Sequence, residues 1–83
     1  MNEVLIHRRV IKFLNTLSED RKSKIMDAIK LLEGFPIVRA DVRKIGPKTF
    51  RLRKGDIRVI FDFDSRTNRV FVKLADFRGK VYK

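Results

Sequence analysis

Apolar residues recur along the first third of this chain with a helical period, and from Phe50 onward they alternate with polar ones at a period of two. Val4, Leu5 and Ile6 form a short apolar run that predicts an opening strand. Val10, Phe13, Leu14 and Leu17 then fall at i, i+3, i+4 and i+7, the stripe of an amphipathic helix. Ser18 is a suitable N-cap for a second helix, and Glu19 and Asp20 suit the positive end of its dipole. Ile25, Ala28, Ile29 and Leu32 give that helix a buried face, and Gly34 followed by Pro36 ends it. His7, the sole histidine, precedes the first helix, where a surface or capping role is expected.

Residues 34 to 48 read as a connector with a short strand at Val42 to Ile45 and the breaker pair Gly46-Pro47. Phe50 to Phe63, FRLRKGDIRVIFDF, is a hairpin about Gly55-Asp56, with Gly supplying the positive φ that a tight turn needs. That turn sets Lys54 opposite Ile57, Arg53 opposite Arg58, Leu52 opposite Val59 and Phe50 opposite Phe61. One face then collects Phe50, Leu52, Val59 and Phe61, and the other Arg51, Arg53 and Arg58. Ser65-Arg66-Thr67-Asn68 is a four-residue turn into a last strand, Arg69 to Ala75. Pairing Asp64 with Arg69 sets Phe61 opposite Val72, Ile60 opposite Lys73, Val59 opposite Leu74 and Arg58 opposite Ala75, with no slip. The expected architecture is a single α+β domain over residues 1–83. Its N-terminal strand and helical hairpin pack on one face of an antiparallel β-sheet, and the other face stays open.

Charge changes this picture. Twenty-one Lys and Arg against ten Asp and Glu leave a formal +11, which favours nucleic acid, an anionic membrane or an acidic protein as partner. No cysteine is present, which excludes disulfides and thiolate chemistry. No apolar run approaches the ~20 residues of a membrane span, and MNEVLIHRRV is too short and too charged for a signal peptide, so no membrane partner and a cytoplasmic location are expected.

Like charges opposite each other destabilise a hairpin, so three arginines on one face suggest that an anion belongs there. The strand ending at Ala75 delivers Asp76-Phe77-Arg78-Gly79-Lys80-Val81-Tyr82-Lys83 to the same end of the sheet. With these residues the chain resembles the toxins of the RelE/ParE superfamily of toxin–antitoxin modules, and most of all the archaeal RelE type. The resemblance is sharpest at Lys44-Ile45-Gly46 with Phe50-Arg51-Leu52-Arg53, at Gly55 with Arg58-Val59-Ile60-Phe61, and at the ending Arg78-Gly79-Lys80-Val81-Tyr82-Lys83.

The resemblance implies a ribosome-dependent endoribonuclease that cuts messenger RNA in the decoding site and is neutralised by an acidic antitoxin of the RelB type. It implies no cofactor and no metal. Cleavage would use the RNA's own 2′-OH, so the protein must position the strand, assist proton transfer and stabilise a phosphorane. By resemblance Arg58 binds the scissile phosphate, Arg78 stabilises charge, and Tyr82 serves as general base or stacking platform. Arg51, Arg53, Lys54, Lys73 and Lys80 are candidate RNA contacts, with Phe77 a candidate stacking group.

Asp76 stands where some relatives carry a basic residue, and Phe77 where others carry histidine, which leaves the general acid unassigned. A solvated strand face is the alternative for Arg51 and Arg53, and simple packing for Tyr82 and Phe77. At the level of function the alternatives are a ParE-like inhibitor of DNA gyrase and an RNA-binding relative with weakened catalysis.

Overall fold

The structure, a computed structural model, describes residues 1–78. In chain order the elements are β1 (Glu3–Ile6), α1 (Arg8–Leu14), α2 (Glu19–Lys30), a short 3-10 turn (Leu31–Gly34), β2 (Asp41–Lys44), β3 (Thr49–Lys54), β4 (Ile57–Asp64) and β5 (Arg69–Phe77). The five strands form one sheet in the order β1-β5-β4-β3-β2. The α+β architecture is the expected one, with a difference in the first strand. β1 pairs with β5 in parallel, so the sheet is mixed. The return from β1 to β5 runs through both helices and the hairpin, a separation at which no local pattern reports strand direction.

Both helices begin on side-chain caps. The imidazole Nδ1 of His7 accepts a hydrogen bond from the backbone N–H of Arg9 at 3.0 Å, and the Ser18 hydroxyl accepts one from that of Arg21 at 3.3 Å. Each thereby satisfies an amide that has no partner within its helix. Helix α1 stops at Leu14, so Leu17, the last residue of the predicted stripe, sits beyond it and is partly buried against the core.

Val10 and Leu14 of α1 and Ile25, Ala28 and Ile29 of α2 pack with Leu32 against the sheet face formed by Leu52, Ile57, Val59, Phe61, Val70, Val72 and Ala75. Phe35, from the connector, joins this core. Its ring meets those of Phe50, Phe61 and Phe63 edge-on, with centroids 4.8, 5.2 and 5.0 Å away.

The β3–β4 register matches the expectation pair for pair, from Lys54 opposite Ile57 to Phe50 opposite Phe61, and Gly55 holds a φ of +60° in the turn. The Ser65 to Asn68 turn also closes as expected, with Asp64 opposite Arg69 and Asn68 at a φ of +53°. The β4–β5 register departs from expectation beyond Phe61. A bulge admits Lys73 as one extra residue, so Ile60 lies opposite Leu74, Val59 opposite Ala75 and Arg58 opposite Asp76. The physical reason lies in the two faces. Without the bulge Leu74 and Asp76 would continue the buried row of Val70 and Val72, placing a carboxylate in the core. With it, Ala75 takes the buried place and Asp76 turns to the arginine face.

Candidate functional site

Cross-strand pairing arranges the face away from the helices in rows. One row runs Asp41, Arg53, Arg58, Asp76 across β2, β3, β4 and β5. The next runs Arg43, Arg51, Ile60, Leu74. Directly opposed side chains share a face, so Arg51, Arg53 and Arg58 stand together as the sequence predicts. The expected open face is closed at its centre, however. Arg51 is 5% exposed and Arg58 8%, among the most buried charged residues described.

Carboxylates at both ends offset the like charges of the central row. Asp41 accepts a hydrogen bond from Arg53 Nε at 2.7 Å and lies 3.7 Å from a guanidinium nitrogen of Arg51. The sequence reading missed Asp41. Its signal was the antiparallel return through Gly46-Pro47, which sets Asp41 opposite Arg53 once Lys44 is paired with Phe50.

Asp62 lies four residues beyond Arg58 along the same face of β4. Burial pushes its carboxyl up, but the Thr49 hydroxyl at 2.6 Å and the Lys73 ammonium at 3.1 Å, with Lys48 adding charge, hold it below the usual carboxylate value. Lys73, a candidate RNA contact, is therefore an exposed residue tied to Asp62.

Two of the candidates fall elsewhere. Lys54 and Phe77 flank Ile57 in its row on the helix side of the sheet, which alternation separates from Arg58. Lys54 lines a shallow groove there with Arg21, Lys24 and Ile25. Phe77 packs edge-on against Phe13 with centroids 5.3 Å apart, and the Arg21 guanidinium lies 5.5 Å from its ring centre. The Phe77 ring thus lies against α1 and α2, on the face opposite Arg58.

Arg78 is exposed, and its backbone N–H donates to the Asp56 carbonyl at 2.7 Å, which ties the end of β5 to the hairpin turn. Arg78 thus lies two residue pairs along from Arg58–Asp76, just past the Ile57–Phe77 pair. Lys80 and Tyr82 lie outside the described residues.

Comparison with known proteins separates sequence from shape. No protein-family model and no curated protein matches the chain. In solved structures the same fold recurs. A chain of the archaeal RelE–RelB complex from Pyrococcus horikoshii superposes with a TM-score of 0.83 at 27% identity, over 95% of this chain and 97% of that one. This chain is similar to RelE-type toxins.

The RelB–RelE complex from Methanococcus jannaschii matches at a TM-score of 0.73 and 17% identity, covering 95% of both chains. The isolated RelE toxin from E. coli matches at 0.74 and 15%, over 99% of this chain and 92% of that one. At such identities these two speak for the fold alone. In this chain the RelE-like fold sets the helices on one side of the mixed sheet and the arginine rows on the other. Among the described residues no helix is long and apolar enough to cross a membrane.

Proposed function

We propose that this chain is the toxin of a type II toxin–antitoxin module, an endoribonuclease that cleaves messenger RNA in the A site of the ribosome. The observation that carries this reading is the cross-strand pair Arg53–Arg58 beside buried Arg51, set in a fold shared with an archaeal RelE.

In this reading the 2′-OH of the bound strand attacks the adjacent phosphorus, and negative charge grows on the non-bridging oxygens. Arg58 meets that charge. A guanidinium remains protonated and offers two parallel N–H donors to phosphate. Because Arg58 is largely withdrawn from water, its attraction for the phosphorane is screened less than that of a surface arginine. Arg51 and Arg53 hold the strand's phosphates, and their tie to Asp41 fixes the direction of their planes. Lys73 and Lys80 add phosphate contacts. Arg78 stabilises charge on the departing 5′-oxygen, and Tyr82 accepts the 2′-OH proton or stacks on a base, roles that rest on the resemblance.

The partner that silences the toxin is an acidic antitoxin of the RelB type. A formal +11 suits such a partner, and the Pyrococcus and Methanococcus relatives are RelE–RelB complexes. The same excess of charge favours ribosomal RNA, to which sequence-independent binding is largely electrostatic.

Primer extension on programmed ribosomes tests the proposal. Added protein should produce a break within the A-site codon. An unbroken message, together with blocked supercoiling by gyrase, would replace the nuclease by a ParE-type activity.

A further inference from the structure

Asp56, in the hairpin turn, is tied to two other elements at once. Its carboxylate forms an ion pair with the Arg21 guanidinium of α2, and its carbonyl accepts the Arg78 amide at 2.7 Å. Arg21 also lies over the Phe77 ring, 5.5 Å from its centre, and Phe13 of α1 meets the same ring edge-on with centroids 5.3 Å apart. Phe77 is the residue next to Arg78. Four groups from four elements therefore converge on the point where β5 hands the chain to Arg78, all of them off the arginine face.

We infer that Arg21, Asp56 and Phe77 form a clamp that positions Arg78 for the cleavage reaction, with Arg21 as a positioning residue on the far side of the sheet. The inference rests on the nuclease reading above, because it assigns the clamp a part in that site. A purely structural role for the ion pair is a poor alternative. Its side chains are 42% and 63% exposed, and exposed ion pairs contribute little to folding stability. What the pair does control is orientation. Arg78 is otherwise an exposed residue at the end of a strand, and a catalytic group misplaced by about 1 Å can cost on the order of a hundredfold in rate.

Sign separates positioning from general electrostatics. Asp56→Ala raises the net charge by one, so charge attraction alone predicts tighter RNA binding and no slowing. The clamp predicts slowing. Arg21→Ala must act in the same direction although it changes the charge the opposite way. The paired reversal Arg21→Asp with Asp56→Arg restores both the ion pair and the net charge of the natural chain, and coupled residues of this kind are read by such cycles.

The experiment measures single-turnover cleavage on programmed ribosomes against protein concentration, with exchange of the Arg78 amide followed by NMR on the same variants. Each single substitution should lower the maximal rate by about tenfold while half-saturation moves by less than about twofold. The Arg78 amide should exchange faster in both, since its acceptor is no longer held. The reversal should recover most of the rate and of the protection. Full maximal rates in both single variants would overturn the clamp, as would slowing with Arg78 protection unchanged. If the natural chain itself cleaves nothing, the nuclease reading fails, and the amide measurement alone then decides whether Arg21 and Asp56 anchor Arg78.

Discussion

Arg58 stands directly across from Asp76, because β5 carries one residue more than β4 at Lys73. The central row of the arginine face thus alternates in sign at its ends, Asp41 beside Arg53 and Asp76 beside Arg58. Opposite charges facing each other across strands contribute roughly 0.2–1 kcal/mol, and like charges subtract a similar amount. Asp76→Asn, which keeps the side-chain oxygen that accepts the Phe77 amide at 2.8 Å, should lower stability by about 0.5 kcal/mol in urea unfolding. Asp76→Lys should cost about 1 kcal/mol or more, and both variants should bind single-stranded RNA more tightly at low salt.

The aromatic cluster under the helices sets the stability of the domain. Phe61 is fully buried, stacked on Phe50 with centroids 5.5 Å apart and met edge-on by Phe35. Phe61→Ala should cost about 3–5 kcal/mol, a large share of what a domain of this size has, and should leave much of the protein unfolded at room temperature. Circular dichroism and urea titration would show it. A loss below about 1 kcal/mol would mean that the cluster does not set the stability of the domain.

Gly55 carries a local prediction. Its φ of +60° is costly for residues with a Cβ, although a Cβ there would meet nothing within 4 Å. Gly55→Ala should therefore destabilise by about 1–2 kcal/mol through backbone strain alone, and Gly55→Asn by less, because Asn tolerates this region better. Equal effects of the two substitutions on urea midpoints would point to packing as the cause.

Acid should unfold the domain partly through Asp62 and Asp64. Both carboxyls are held below their usual value, Asp62 by the Thr49 hydroxyl and Lys73 against the opposing effect of burial, and Asp64 chiefly by the Arg66 backbone N–H at 2.9 Å. A depressed folded-state pKa means that the stabilisation is complete above the unfolded value, about 3.9 for Asp, and is lost as pH falls through the folded one. Melting temperature should thus decline below about pH 4, and Asp62→Asn should flatten that decline while lowering stability at pH 7.

The parts of the fold that could be read from the sequence are those settled by local chemistry. Ser18 and His7 cap helices because their side chains reach amides two or three residues on, and Gly55 pins the β3–β4 register because the turn has few solutions. The direction of β1 was not readable, since its partner β5 lies more than sixty residues away. The bulge at Lys73 was hidden because both registers pair apolar residues plausibly between Val70 and Ala75. Only the placing of Asp76 separates them. Phe35 looked like part of a connector because Gly34 and Pro36 flank it, yet its ring fills the centre of the aromatic cluster.

The candidate site divides in the same way. Alternation brought Arg51, Arg53 and Arg58 to one face, but it also places Lys54 and Phe77 on the other. Burial of Arg51 and Arg58 had no sequence signal, because a strand's alternation sorts side chains by face and does not report how far a face is covered.

The most direct test compares primer-extension products from programmed ribosomes treated with the natural chain and with Arg58→Ala. Loss of a group that stabilises transition-state charge costs about 10²–10³ in rate, so a break in the A-site codon made by the natural chain should fall by at least about a hundredfold in a variant that still folds by circular dichroism. Undiminished cleavage by folded Arg58→Ala would contradict the assignment of the arginine face as the site of phosphodiester chemistry.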